Sequence, residues 1–87
     1  MIEVKSSGGD AYTVAVEEGG SRSEHTVTLR KEYYHRLTDG KSSPEELIRR
    51  SFEFLLKREP KESILSSFDL SVIQRYFPEY ENNIRSG

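Results

Sequence analysis

His25 and His35 are the two imidazoles of this 87-residue chain, and metal or acid–base chemistry would have to begin with them. They lie on different expected elements, and the chain has no cysteine to stand beside them. Disulfides, thiol nucleophiles and cysteine-ligated zinc are therefore excluded. His25 falls on the apolar side of an alternating stretch, the usual setting of a hydrogen-bonded, partly buried histidine rather than a metal ligand. Carboxylates are plentiful, but they follow the spacing of a solvated helix face. Gly8-Gly9 and Gly19-Gly20 lack the strand-then-helix context of a phosphate cradle, and no GxGxxG or Walker-type loop occurs. No catalytic residue, cofactor or metal is expected. An enzyme would need a concave pocket gathering His25 or His35 with a carboxylate.

The elements that must position any site are organised around Ser43 to Arg58, SPEELIRRSFEFLLKR. Ser43 suits an N-cap, Pro44 the first helical position, and Glu45 and Glu46 complement the helix N-terminus. At 100° per residue Leu47, Ile48, Ser51, Phe52, Phe54, Leu55 and Leu56 share one broad arc, while Glu46, Arg49, Arg50, Glu53 and Lys57 fill the rest. So wide an apolar arc predicts a central helix over Pro44–Arg58 with more than one packing neighbour.

Ahead of it, Met1–Lys5, Ala11–Glu17 and Glu24–Arg30 alternate as strands, separated by the turn SSGGD and the polar loop EEGGSRS. The last two read as an antiparallel hairpin, with the first as a third strand. A hairpin alone is marginal in water, so its apolar face must rest on helices. Lys31–Thr38 reads as a short helix ended by Asp39-Gly40. Beyond Pro60, Ile64, Leu65 and Phe68 suggest a helix over Lys61–Phe68. Leu70, Ile73 and Phe77 suggest one more, capped by Asp69 or Ser71 and stopped by Pro78. Glu79 to Gly87 is polar and reads as a frayed tail. The expectation is one α+β domain over residues 1–87: a two- or three-stranded antiparallel sheet in 1–30, then three or four helices in 31–78, and a tail over 79–87.

Composition bounds what this domain can be. Leu, Ile, Val and Phe make up 21 of the 87 residues, above the level at which disorder is the better reading, but the core is small. Net charge is −2, unevenly spread: −3 over residues 1–20, +3 over 21–58 and −2 over 59–87. That balance argues against a chain that coats nucleic acid throughout, though the basic middle is compatible with an anionic partner. No apolar run reaches the 18 or so residues that span a bilayer, and the start lacks a secretory pattern, so a soluble cytoplasmic protein without membrane contact is expected.

Thr26 to Arg58 places a short alternating strand, a short helix, a Gly/Ser turn and a longer amphipathic helix in an order that resembles ribbon-helix-helix repressors and antitoxins. In that family two chains pair their strands and set the ribbon into the DNA major groove. The resemblance implies that Thr26, Thr28 and Arg30 read bases, that Val27 and Leu29 face a dimer core, and that Ser42 and Ser43 offer N–H groups to a phosphate. The same strand also has a natural intrachain partner in Ala11–Glu17. A helix-turn-helix over Lys61–Phe77, presenting Gln74 and Arg75, is a further alternative. Tyr33, Tyr34, Tyr76 and Tyr80 are spaced as either stacking platforms or core. The block Ser51–Tyr80, SFEFLLKREPKESILSSFDLSVIQRYFPEY, also resembles a family of small bacterial proteins of uncharacterised function; that likeness implies no activity.

The first expectation is a non-enzymatic interaction module that binds a protein partner or itself, with Tyr76, Phe77 and Tyr80 around Pro78 as the exposed contact patch. The second is the dimeric DNA-binding regulator, with Thr26, Thr28 and Arg30 as contacts. A ribbon-helix-helix protein must be at least a dimer, since each chain supplies one ribbon strand. A monomeric mass by light scattering at tens of micromolar would end that second reading.

Overall fold

Alternation in the first 28 residues becomes a meander of three antiparallel strands, β1 (Ile2–Gly8), β2 (Ala11–Glu18) and β3 (Ser21–Thr28), in the computed structural model, which describes residues 1–86. The strands run further than their apolar residues alone suggested. Gly19 and Gly20, both at positive φ (58° and 80°), form a two-residue turn between β2 and β3. That turn type needs positive φ at both positions and matches the twist of the flanking strands. The hairpin therefore stays paired out to Glu18 opposite Ser21, where a seven-residue loop was expected. At its other end β3 stops at Thr28; Leu29 is buried, and Arg30 begins the next element.

Registers place Val4 beside Val14 and Val14 beside His25, so Ile2, Val4, Tyr12, Val14, Val16, His25 and Val27 share one face. The other face carries Glu3, Lys5, Thr13, Ala15, Glu24, Thr26 and Thr28. Two helices follow, α1 (Lys31–Thr38) and α2 (Pro44–Leu56). In α2 the Ser43 side chain accepts the Glu46 N–H at 3.1 Å, and Pro44 opens the first turn. Leu47, Ile48, Ser51, Phe52, Phe54 and Leu55 are all buried. The broad arc has the neighbours it required: β1 on one side, α1 and the C-terminal helix on the other. The helix ends at Leu56, two residues short of the expected Arg58, because the Arg58 and Glu59 N–H groups both turn back to the Leu55 carbonyl ahead of Pro60.

After Pro60 the chain departs from expectation. Lys61–Ser63 is a single 3-10 turn, and Ser67–Asp69 is a fourth strand, β4, parallel to β3 and hydrogen-bonded along its open edge. The spacing of Ile64, Leu65 and Phe68 imitates a helix face, but no helix forms there. Ile64 and Leu70 are buried whereas Leu65 is not, as an extended segment demands. The sheet is thus mixed, in the order β1-β2-β3-β4, and α1 and α2 supply the long crossover that a parallel pair needs. Losing its first helix also removes the helix-turn-helix alternative. Gln74 is used internally: its amide donates to the Pro78 carbonyl at 2.7 Å and accepts the Glu81 N–H at 2.9 Å.

Two short helices close the α+β domain, α3 (Val72–Tyr76) and α4 (Tyr80–Ser86). The expected frayed tail is therefore ordered as far as it is described; Gly87 lies outside the described residues. Tyr80 is fully buried, and its hydroxyl meets Ser51 Oγ at 2.6 Å in the middle of α2. Ile84 is buried one turn later. The Tyr33 hydroxyl donates to Glu81 at 2.9 Å, and Arg50 donates to the Ile84 carbonyl at 2.8 Å. Burial pushes the Tyr33 phenol well above its ordinary value, helped by its bond to the Glu81 carboxylate; burial also raises Tyr80, against the opposing pull of Ser51. A phenol raised on folding stabilises the native state fully below its unfolded pKa of about 10, and that contribution is lost as pH rises toward the folded value. Urea midpoints should therefore hold steady from about pH 7 to 9 and fall above about pH 10. Tyr33→Phe should make the fall shallower; an equally steep fall would place the alkaline sensitivity elsewhere.

Candidate functional site

The residues that could recognise a partner converge where α2, the 3-10 turn, β4 and α3 meet. His25 is the anchor. Its ring is buried on the inner face of β3, and Nδ1–H donates to the Leu65 carbonyl at 2.8 Å. Since a carbonyl can only accept, the Nδ1 proton is fixed there, and Nε2 shares a hydrogen bond with the Ser23 hydroxyl at 2.9 Å. The ring also lies 5.4 Å from that of Phe52. The Leu65 backbone is thereby pinned to the sheet while its side chain remains 49% exposed.

From that fixed point the walls follow. The Asp69 carboxylate accepts both the Ser71 N–H (3.0 Å) and its hydroxyl (2.7 Å), turning the chain from β4 into α3. Burial pushes the Asp69 carboxyl up, but these two bonds and the Arg30 guanidinium outweigh it and hold it below its ordinary value. In α3, Ile73 is buried in the core while Tyr76, one turn later at the end of this short helix, is 67% exposed. Phe77 is half-buried, edge-on to Phe54 at 5.9 Å. Together with Leu55, Ile64, Phe68 and Val72, these residues enclose an open apolar groove of about 360 Å³. That is the low end of the range that holds small ligands and side-chain anchors. Glu59 stands at its rim with no ion-pair partner among the described residues. Close by, Arg58 lies 3.6 Å above the Phe54 ring and pairs with Glu79 at 3.1 Å.

Of the expected contact patch, Tyr76 and Phe77 do line one surface, and Tyr80 does not. Its position after Pro78 suggested exposure, but the α4 backbone turns its ring inward against Phe54 and Ser51. Leu65 and Glu59 complete the surface and were missed. The signal for Leu65 was weak: of the adjacent Ile64 and Leu65, an extended chain can bury only one.

Thr26 is outward and exposed, and Thr28 is partly exposed on the same face. Their strand, however, is paired on both sides within its own chain, Thr26 opposite Thr13 and Ser67, and Thr28 opposite Ala11 and Asp69. A two-chain ribbon would require β3 to give up these partners. Arg30 is exposed and donates to Asp69 at 3.1 Å. Val27 and Leu29 are buried in the intrachain core. The Ser42 carbonyl accepts the Tyr34 hydroxyl, and the Ser43 hydroxyl is used as the helix cap. Of the four tyrosines weighed as stacking platforms, only Tyr76 is largely exposed.

His35 is exposed on α1, against Tyr34, and shares a hollow of about 200 Å³ with Asp10, Tyr12 and Lys31. A histidine does therefore meet a carboxylate in a concavity, but among the described residues no hydrogen bond joins them to orient the imidazole. Three metal-ligating side chains cluster nowhere among the described residues, and no described helix is long and apolar enough to cross a membrane. Comparison with known proteins finds no matching family model, no similar curated protein and no similar solved structure.

Because His25 is the tie between sheet and groove, His25→Ala should destabilise the fold by roughly 2–4 kcal/mol, from an unpaired Leu65 carbonyl and lost packing on Phe52. Thermal melts would measure this. A loss below about 0.5 kcal/mol, the scale of an ordinary surface substitution, would show that the groove does not depend on that ring.

Proposed function

We propose that this chain is a non-catalytic protein-interaction module whose docking surface is the groove bounded by Leu65, Tyr76 and Phe77. The observation that carries this reading is the pair Leu65 and Tyr76: two large side chains, about half and two-thirds exposed, that line one apolar concavity in a domain with few apolar residues to spare. Isolated exposed apolar side chains are ordinary, but two that flank one concavity supply the apolar centre typical of interfaces, with a tyrosine of the kind enriched there. The groove chemistry also describes its occupant. A large apolar side chain of a partner segment would enter between Phe68 and Phe77, and a lysine or arginine beside it would meet the unpaired Glu59 carboxylate. Arg58 cannot answer that charge, since it is held by Glu79 and Phe54.

A displayed library of random peptides, panned against the folded domain, tests the proposal directly. Enriched peptides should share a large apolar residue flanked by a basic one. Tyr76→Ala and Leu65→Ser, both at exposed positions, should each weaken the selected peptides by about tenfold or more, the range of a moderate interface hot spot, with circular dichroism unchanged. Glu59→Gln should weaken binding mainly at low salt. Selected peptides that bind both groove variants as well as the parent would dispose of this surface.

A further inference from the structure

β1 is the one long strand of the sheet with an unpaired edge; at the opposite side β4 is only three residues long. The hydrogen-bond parity of β1 is set at its start. The Met1 amino group donates to the Glu17 carbonyl at 2.8 Å, and the Glu17 N–H returns to the Met1 carbonyl at 2.9 Å. In an antiparallel ladder such doubly bonded pairs alternate with non-bonded ones. Glu3 opposite Ala15 and Lys5 opposite Thr13 are therefore the next bonded pairs, and Ile2, Val4 and Ser6 turn their N–H and C=O groups to the open edge. Natural edges are commonly blunted by proline, by an inward-pointing charge or by a bulge. From Ile2 to Ser6 this one has none of these; the one blunting device it carries is the outward-facing Lys5, with Glu3 beside it, and its irregularity comes only between Ser6 and Gly8. Its inward side chains, Ile2 and Val4, are only partly buried.

The charges on the strand indicate what would cover that edge. Glu3 and Lys5 are exposed on the outer face, opposite the uncharged Ala15 and Thr13, and neither has an ion-pair partner among the described residues. A second copy of β1, antiparallel about a twofold axis at Val4, would set Glu3 against Lys5 of the other copy and Lys5 against its Glu3. It would also pair Val4 with Val4 and Ile2 with Ser6, the positions whose backbone groups face outward. An axis at Lys5 would oppose like charges, one at Ser6 would leave both charges without an opposite one across the seam, and one at Ile2 would set Glu3 against Met1, whose amino group is already bonded to the Glu17 carbonyl, and leave Lys5 unopposed. Hydrogen-bond parity, face and charge thus select the same register.

We propose that two copies of this chain join through their β1 edges, centred on Val4, into one continuous eight-stranded sheet. This rests on a different surface from the docking groove, which lies at the β4 side, and it stands or falls separately from it.

Multi-angle light scattering and sedimentation on the full chain, without an N-terminal tag, should give a mass rising with concentration toward twice the 10.0 kDa chain mass. Lys5→Glu and Glu3→Lys, each of which would oppose like charges twice across the seam, should each weaken association by roughly tenfold. The double variant Glu3→Lys/Lys5→Glu should restore it to near the parent value. The variants stay soluble and folded if their circular dichroism matches the parent, since both side chains are exposed. A monomeric mass at every concentration would overturn the proposal. So would single reversals that leave association unchanged, failure of the double variant to rescue, or a dimer dissolved by Tyr76→Ala instead.

Discussion

One buried imidazole carries a disproportionate share of this architecture. The sheet up to Thr28 is a local meander that any chain with these turns and this alternation would form. What makes it a domain with a recognisable surface is the return of a distant segment to the open edge of β3, and His25 bridges the two. Its ring bonds the Leu65 carbonyl, bonds Ser23 on its own strand and packs on Phe52 of the central helix. The three contacts fix sheet, helix and returning segment relative to one another. A leucine at that site would fill similar space but leave a buried carbonyl unpaired, and an unpaired buried acceptor costs more than an average hydrogen bond contributes. In water the same carbonyl would bond solvent at no loss, so the constraint exists only because the returning chain seals the site.

The second arrangement of this kind lies at the far side of α2. Ser51 is a small polar residue on an otherwise apolar arc, and its hydroxyl bonds back to the Leu47 carbonyl at 2.8 Å and across to Tyr80. The small side chain leaves room for the tyrosine ring, and the ring carries α4 with it. Apolar packing supplies the attraction, and the two hydroxyls satisfy each other in the interior. The wide arc of α2 is thus divided between partners that are both held by polar contacts at the edge of the core.

How much of this was legible in the sequence follows from the range of the interactions involved. Period-2 alternation, the Ser43-Pro44 cap and the Asp39-Gly40 stop act over a few residues, so the first three strands, α1 and α2 could be read with boundaries off by a few positions. Residues 61–69 could not. A three-residue strand is too short to show a period, and its partner lies about forty positions away. α4 escaped for a related reason: with only Tyr80 and Ile84 apolar, its helical signal is one i,i+4 pair, and its order comes from Tyr33, Arg50 and Gln74 on three other helices. The candidate site inherits both failures. Tyr76 and Phe77 were visible as aromatic residues beside a proline, but which neighbours are buried depends on β4 and α4, neither of which the pattern revealed.

The parallel seam between β3 and β4 has a kinetic side. Every contact across it closes a loop of about forty residues, whereas the β1–β2–β3 meander closes through two-residue turns. Chain entropy therefore opposes the seam before any contact rewards it, and contacts of long sequence separation form slowly. The meander can assemble while the rest is still unorganised, and the walls of the groove come together last. In reverse, the same seam is the weakest place for a local opening, because β4 offers three residues of ladder against the eight of β2 and β3. The surface read here as the docking site is therefore also the part of the molecule that folds latest and loosens first.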